Sequence, residues 1–514
     1  MEIPWIAAAF VLGLAVRAVG LPTLVGYLAA GFGLRAAGVE GGPALEHVAH
    51  LGVLLLLFSV GLKLRLATLV RREVLVGGLG HLMLVSAAGA LVLLAVTSLA
   101  PGTALVLGAV AAFSSTVMAA KVLEEKSELR TFHGRTAIGI LIVQDLVAVA
   151  LLSTASGSAP SPWSLLWLGL PLARTALSRL LSLSGHGDLL VLYGMLLALA
   201  IGGAGFEWSG LSAELGALVL GTLLAGHPRT GELANALWNV KELFLIGFFL
   251  SVGMAGLPGM QELLLAGALL LALPFKTALY FGVLLLFRLR ARTAFLAALA
   301  LGSYSEFGLI VAQLGLREGW LSETWLVALA VAVAVSFALA APLNAASHGL
   351  FARFESRLER FQSRRRHADD EPLSLGEADL LIFGMGRIGS GAYAYLTEQG
   401  ARVVGVDSDP ERVARLRREG LRVEYGDAED PDLWQRLALG GVEAVLLALP
   451  DVASKTQAAL ALRMRGYSGL VAATTAFPEE ATALEEAGVG LTFNHFDRAG
   501  ESFARRSWEQ LRPS

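Results

Sequence analysis

The sequence predicts a polytopic α-helical membrane protein of thirteen transmembrane helices in two inverted six-helix repeats, followed by an α/β Rossmann-like domain. Three observations predict it. Up to about Leu350 the chain is a succession of apolar runs of roughly 17–25 residues, the length that crosses a bilayer. Of the whole chain 55% is hydrophobic and 16% charged, whereas soluble proteins carry about 25% charge. Beyond Leu350 charges become frequent, and a glycine-rich strand–turn–helix pattern appears.

The apolar runs lie near 3–20, 21–38, 47–66, 73–98, 103–121, 134–153, 163–182, 188–205, 210–226, 238–256, 260–287, 293–315 and 322–345. Nothing before Trp5 resembles the basic start of a signal peptide, so the first run is read as a retained span. The seventh run is interrupted by Arg174 and Arg179. With thirteen spans, 16 basic residues fall in the loops of one side, among them Lys63, Arg71, Lys121, Arg135, Arg229 and Arg292. The other side holds only Arg35 and Arg317. Cytoplasmic loops carry the basic excess, so the N-terminus is expected outside and the C-terminal domain in the cytoplasm. The chain has no cysteine, which excludes disulfides, thiolate metal sites and thiol sensing. Its net charge of −3 gives no sign of a nucleic-acid partner.

An internal echo sets the repeat. "GLPTLVGYLAAG" from Gly20 matches "GLSAELGALVLG" from Gly210, and "FSVGL" at 58–62 matches "LSVGM" at 250–254. Runs one to six therefore correspond to runs eight to thirteen, and the extra run between them inverts the second copy. Inverted repeats are characteristic of secondary transporters, whose ion sites lie where paired helices break near the midplane.

The echo then picks out two polar interruptions. Ser114, Ser115 and Thr116 stand in the fifth run, and Tyr304, Ser305 and Glu306 at the same depth in the twelfth. Broken helices free carbonyls and hydroxyls for a cation, and such backbone is tolerated only around a cavity. In the sixth run, Gln144 and Asp145 interrupt "GILIVQDLVAVALL". Asp145 has no twin, because the position 190 residues on is Val335. An intramembrane carboxylate is a functional candidate; the alternative is an acid locked in a buried hydrogen bond or ion pair. A carboxylate away from water is costly unless something neutralises it. A proton and a metal cation both can, and they compete for the same charge. If the bundle moves only when that charge is neutralised, the two ions travel in opposite directions.

The expected oxygen ligands are Asp145, Gln144 and the hydroxyls of Ser114, Ser115 and Thr116, around K+ or Na+. No cluster of histidines or further acids favours a transition metal. Lys276, in "LPFKTALYF", either pairs with Asp145 when no cation is bound or props a helix. Glu306, with Ser305, either bonds free backbone amides or takes part in coordination. His81 is expected to be hydrogen-bonded inside the fourth run. Lys241 and Glu242, at the inner mouth of the tenth, read as a solvated helix end or a gate.

The domains expected are a transmembrane exchange domain over 1–350, a charged linker helix over 351–377 and a cytoplasmic domain over 378–514. In the last, "LLIFGMGRIGSG" places Gly384, Gly386, Arg387, Ile388 and Gly389 between a strand and an amphipathic helix. Asp407 ends the next strand about twenty residues on, which completes the dinucleotide-binding fingerprint. Phosphates would sit on the helix N-terminus and Asp407 would bond ribose hydroxyls. Asp427, ending the third strand, is expected near an adenine ring. No substrate domain accompanies this fingerprint, so a sensor is expected rather than a dehydrogenase.

Together "LVGYLAAG" (24–31), "LGVLLLLFSVGLKL" (51–64), "FSST" (113–116), "VQDL" (143–146), "FFLSVGM" (248–254), "SEFGLIV" (305–311) and "FGMGRIG" (383–389) resemble Kef-type members of the monovalent cation:proton antiporters. The resemblance covers nearly the whole chain. It implies a homodimeric inner-membrane exchanger, Asp145 as the ion-binding aspartate, and an ancillary regulatory subunit as a further partner. It also implies a C-terminal RCK/KTN (TrkA-N) domain that binds NAD(H) or AMP. A Gln–Asp pair in place of Asp–Asp implies potassium and electroneutral exchange. The loop "GHPRTGELANALWNVK" lacks the acidic run of glutathione-gated relatives, so that gating is not carried over. The expected function is K+/H+ antiport, with Na+/H+ antiport and a nucleotide-gated K+ channel as alternatives. No TVGYG-like filter favours the channel, and no catalytic constellation favours an enzyme.

Overall fold

The computed structural model describes residues 3–494 except 40, 63–68, 127, 129–130, 156–160, 228, 364–366, 368–374, 427, 429–432, 435–436, 438, 450 and 476–477. It divides into two compact units. One comprises Met1–Glu125 and His133–Arg365, the other Lys126–Phe132 and Arg366–Ser514.

The described secondary structure of the first unit is helical. Its helices are α1 (Ile3–Ala18), α2 (Thr23–Ala36), α3 (Pro43–Leu62), α4 (Arg72–Val96), α5 (Pro101–Ala112), α6 (Thr116–Glu125), α7 (Phe132–Ala155) and α8 (Leu170–Leu183). They continue as α9 (Asp188–Met195), α10 (Ala213–Leu224), α11 (Thr230–Met254), α12 (Met260–Leu286), α13 (Ala291–Ala300), α14 (Glu306–Arg317), α15 (Glu323–Ala345) and α16 (Ser347–Leu358). Among the described residues, eight helices are long and apolar enough to cross a membrane, and three shorter ones are apolar. Such a bundle follows from the sequence, because a helix satisfies every backbone group within itself where no water can.

Two sets of helices pack within the unit. The first comprises α1, α2, α3, α9, α10 and α11; the second comprises α4, α5, α12, α13, α14 and α15. Close approach in the first set depends on missing side chains. A Cβ on Gly31 would stand 2.7 Å from the Cα of Gly253, and one on Gly221 would stand 3.1 Å from that of Gly61. Small residues let apolar helices make backbone-level contact where lipid supplies no hydrophobic drive. The same crowding accounts for a distortion. After Met195, α9 continues as π-turns over Leu196–Ala204, where a Cβ on Gly202 would meet the backbone of Ala217 at 2.9 Å.

Two helices of the second set are interrupted. Between α5 and α6, residues 113–115 are not helical, and Phe113 is extended. Between α13 and α14, residues 301–305 are not helical. Serine and threonine divert backbone hydrogen bonds to their own hydroxyls. Thus Ser305 caps α14 by accepting from the amide of Phe307 at 3.0 Å. Pro274 lies inside α12 and removes one amide from its ladder.

The second unit holds a six-stranded parallel sheet of order β3-β2-β1-β4-β5-β6. The strands are β1 (Leu380–Phe383), β2 (Val403–Asp407), β3 (Val423–Tyr425), β4 (Ala444–Leu447), β5 (Leu470–Thr475) and β6 (Leu491–Asn494). Its helices are α17 (Arg387–Glu398), α18 (Pro410–Arg418), α19 (Val452–Met464) and α20 (Pro478–Glu486). The strand before the glycine motif, the strand ending at Asp407 and the third strand read from the sequence are β1, β2 and β3. Leu381, Val404, Val445 and Val471 are fully buried, as expected of a parallel sheet covered on both faces. The order reverses between β1 and β4, which places a ligand crevice at their carboxyl ends. Of the sequence-expected linker, the first unit shows the end of α16 and a turn of 3₁₀-helix over Glu359–Phe361; residues 368–374 lie outside the described part.

Candidate ion and nucleotide sites

Asp145 stands midway along α7 with 2% of its surface exposed. Among the described residues its hydrogen-bond partner is Thr116, whose hydroxyl donates to Oδ2 at 3.0 Å. Thr116 opens α6, so the positive end of a helix dipole approaches the acid.

Glu306 is also buried, yet its oxygens are occupied. Ser115 Oγ donates to Oε2 at 2.6 Å and the Val117 amide to Oε1 at 3.4 Å. This acid therefore opens α14 and also satisfies the first turn of α6. Ser115 Oγ in turn accepts from the Met118 amide at 3.1 Å. Lys276 is the counterpart at the opposite helix ends. Its ammonium donates to the carbonyl of Phe113 at 2.5 Å and to that of Ser303 at 3.1 Å. It also lies 5.0 Å from the ring centroid of Tyr304. A negative charge thus sits at two helix N-termini and a positive charge at two chain breaks that follow helix C-termini, the arrangement that helix dipoles favour.

Gln144 is turned to the broken segment. Its Oε1 accepts from the Ser114 amide at 2.9 Å, and its Nε2 donates to the Tyr280 hydroxyl at 2.5 Å. Ser114 Oγ lies 3.1 Å from the same hydroxyl. Of the five expected cation ligands, Asp145 and Thr116 are bonded to each other, while Gln144, Ser114 and Ser115 have other hydrogen-bond partners. Lys276 bonds two backbone carbonyls.

Two residues here had no assigned part in the site. Tyr280 is fully buried and His81 stacks on its ring, with centroids 3.3 Å apart and planes 10° from parallel. His81 Nε2 donates to the carbonyl of Lys276 at 3.1 Å. The one sequence signal for Tyr280 is its place a helical turn beyond Lys276, on the same face of α12. Lys241 departs from the expected solvated helix end. It is buried, with Nζ 3.1 Å from Glu242 Oε1 and 3.9 Å above the Trp238 ring, because α11 begins at Thr230 and carries it inside.

The nucleotide motif has the geometry its spacing predicts. Gly384 adopts φ +89°, which only glycine takes readily, and a Cβ there would meet the carbonyl of Ala448 at 2.6 Å. Gly389 lets α17 settle against the Gly384 carbonyl. At Gly386 a Cβ would meet no protein atom within 4 Å, so the backbone at the start of α17 is open to a phosphate. Arg387 and Ile388 form the first turn of α17. Asp407 ends β2 and accepts from the amides of Met385 at 2.7 Å and Asp409 at 2.8 Å. Arg412 pairs with it at 2.9 Å, and those hydrogen bonds hold the Arg412 guanidinium above its usual pKa. The open backbone at the start of α17 fits the phosphates of a nucleotide, while Asp407 is buried with the Met385 and Asp409 amides and Arg412 on its oxygens. Asp427 lies outside the described residues.

Helices that break around a buried acid, joined to a Rossmann-like domain, are the architecture of a secondary transporter with a regulatory module. Residues 6–345 match the sodium/hydrogen exchanger transmembrane family and residues 380–495 the TrkA-N domain. The chain belongs to the sodium/hydrogen exchanger family and carries a Rossmann-like nucleotide-binding domain of the TrkA-N type. It is 30% identical over 480 residues to the glutathione-regulated potassium-efflux system protein KefC of Cronobacter sakazakii, covering 88% of this chain and 75% of that protein. The KefC protein of Escherichia coli K12 is 29% identical over 479 residues, with the same coverage. Among solved structures, the TrkA-N domain of the inner membrane protein YbaL from Escherichia coli is 21% identical, with TM-score 0.24 and coverage of 27% of this chain and 100% of that one. The GsuK channel bound to NAD is 21% identical, with TM-score 0.23 and coverage of 45% and 40%.

Proposed function

We propose that this chain is an electroneutral K+/H+ antiporter in which a potassium ion and a proton take turns on Asp145. One observation carries the reading. Among the described residues, the buried Glu306 and Lys276 at the helix breaks are committed to helix ends, whereas Asp145 has a single hydroxyl donor. A carboxylate with spare lone pairs and nothing to balance its charge needs a cation or a proton. Thr116 stands beside it as the nearest further oxygen ligand. The family supports exchange, and the potassium-efflux relatives together with the Gln–Asp pair favour K+ over Na+.

The membrane part consists of thirteen spans with the N-terminus outside, in two inverted repeats. The glycine contacts support this symmetry: Gly31 and Gly221 are repeat mates, as are Gly61 and Gly253, and each touches a member of the other pair. The exchange domain covers 1–350, the linker 351–377 and the cytoplasmic regulatory domain 378–514. The protein works as a homodimer in the inner membrane, with NAD(H) or AMP as the regulatory ligand of the TrkA-N domain and an ancillary regulatory subunit as a further partner. The sequence over residues 226–241, which includes the start of α11, lacks an acidic run, so gating by glutathione adducts is not part of the proposal.

Reconstituted vesicles holding a pH-sensitive dye test the exchange. Potassium added outside should dissipate an imposed proton gradient without generating a membrane potential, and sodium should do so less well. A potential that follows the potassium gradient would mean a channel. The nucleotide site has a separate test at Gly386. A valine there meets no protein atom at its Cβ, so thermal unfolding should shift by no more than about 0.5 kcal/mol. The side chain stands where phosphates approach α17, so calorimetric binding of NAD(H) and AMP should be lost. Retained binding would place the nucleotide elsewhere.

A further inference from the structure

We propose that Tyr280, backed by His81, is a positioning residue for the cation site, holding the Gln144 amide as a strut of the broken segment rather than as a cation ligand. The inference rests on Asp145 as the exchange site and deepens that reading.

Three side chains close a ring. The Ser114 amide can only donate, so the group facing it must be the oxygen of Gln144, at 2.9 Å. That turns the amide nitrogen toward Tyr280, whose hydroxyl accepts at 2.5 Å. A phenol has one proton and two lone pairs. Besides accepting from Gln144, it is hydrogen-bonded to Ser114 Oγ at 3.1 Å, with either hydroxyl able to donate. Each group in the ring thereby fixes the next, and flipping the Gln144 amide would set donor against donor.

The ring is fixed to the second helix set through Tyr280. His81 lies flat on the phenol, with centroids 3.3 Å apart and planes 10° from parallel. Its Nε2 donates to the Lys276 carbonyl, one turn before Tyr280 on α12. Its Nδ1 has no partner among the described residues, as expected of a neutral imidazole with the proton on Nε2. The imidazole and phenol therefore hold each other in register, and neither bonds Asp145.

The consequence reaches Asp145 through the chain. Gln144 precedes Asp145 on α7, and Ser114 lies two residues before Thr116, whose hydroxyl bonds Asp145 at 3.0 Å. The clamp thereby sets the separation between the acid and the segment that supplies its neighbouring oxygen. A cation's fit depends on that separation, which is how a residue without contact to the ion can govern preference among alkali cations. It also leaves the Gln–Asp pair with one coordinating side chain instead of two.

Tyr280→Phe keeps the ring and the stack but removes the hydroxyl. The half-saturating K+ concentration should rise roughly threefold to tenfold, the span expected for one or two lost hydrogen bonds. The preference for K+ over Na+ should narrow, with the loss falling on half-saturation more than on maximal rate. Gln144→Leu, which empties the ring from the other side, should produce the same shift and serves as an independent variant. Tyr280→Phe introduced into Gln144→Leu should add less than it costs alone, since both break the same amide–phenol bond and only the Ser114 contact remains to be lost. Wild-type half-saturation and ion preference in Tyr280→Phe, or additive effects in the double variant, would overturn the clamp. If Asp145→Asn still exchanges ions, the underlying assignment fails instead, whatever Tyr280 does.

Discussion

Asp145→Asn should reduce potassium-coupled proton movement in dye-loaded vesicles to the level of protein-free vesicles, while the helical bundle still forms. The substitution changes one atom in outline but removes the only property the mechanism uses. An amide cannot be ionised at neutral pH, so it neither releases a proton nor offers a full negative charge to a cation. The loss should therefore appear at every potassium concentration, and no excess of substrate should restore it. The hydrogen bond from Thr116 survives, because the Asn side chain keeps a carbonyl oxygen facing that hydroxyl at its present 3.0 Å. A detergent-solubilised melt should consequently move by no more than about 1 kcal/mol. Normal exchange by this variant would mean that the carried charge sits elsewhere. Glu306 would then be the next acid to consider, although its oxygens already serve Ser115 and the Val117 amide.

The contrast between Asp145 and Glu306 also marks how far the sequence could be read. Both acids stand out in apolar runs, and so do the Ser114–Thr116 and Ser305–Glu306 interruptions, because a polar side chain in a lipid-length helix needs a partner or a task. The Rossmann-like half is legible for a similar reason: the φ of +89° at Gly384 is one that glycine alone adopts readily, so that requirement is written in residue type. Partner choice is another matter. An amide such as Gln144 serves equally as a ligand or as a strut, and what decides is Tyr280, 136 residues away in the chain. His81 meets Lys276 across 195 residues. Such pairings depend on how helices pack, which periodicity does not encode. Lys241 fails differently. Its helix begins several residues earlier than hydropathy suggests, since Thr230–Val240 is polar enough to be taken for a loop, and so a buried cation passes for an exposed one.

Lys276→Met should destabilise the membrane unit by roughly 2–6 kcal/mol, the cost of leaving two buried carbonyls without donors at about 1–3 kcal/mol each. Methionine fills nearly the same volume, so a cavity contributes little, and what is lost is the ammonium between Phe113 and Ser303. Those carbonyls belong to the two segments where helices stop, each carrying the partial negative charge of a helix end. Without a cation between them, the segments repel, and the geometry around Thr116 and Asp145 loosens with them. The measurement is a thermal melt of the purified protein together with vesicle exchange. A propping role lowers the melting temperature and weakens exchange in parallel, in every ionic condition. If Lys276 instead served as the partner of Asp145 in the cation-free state, the melt would depend on potassium: the variant would suffer most without it and recover as the ion took over the acid. With the ammonium 2.5 Å and 3.1 Å from two backbone carbonyls, the destabilisation should be the same with and without potassium.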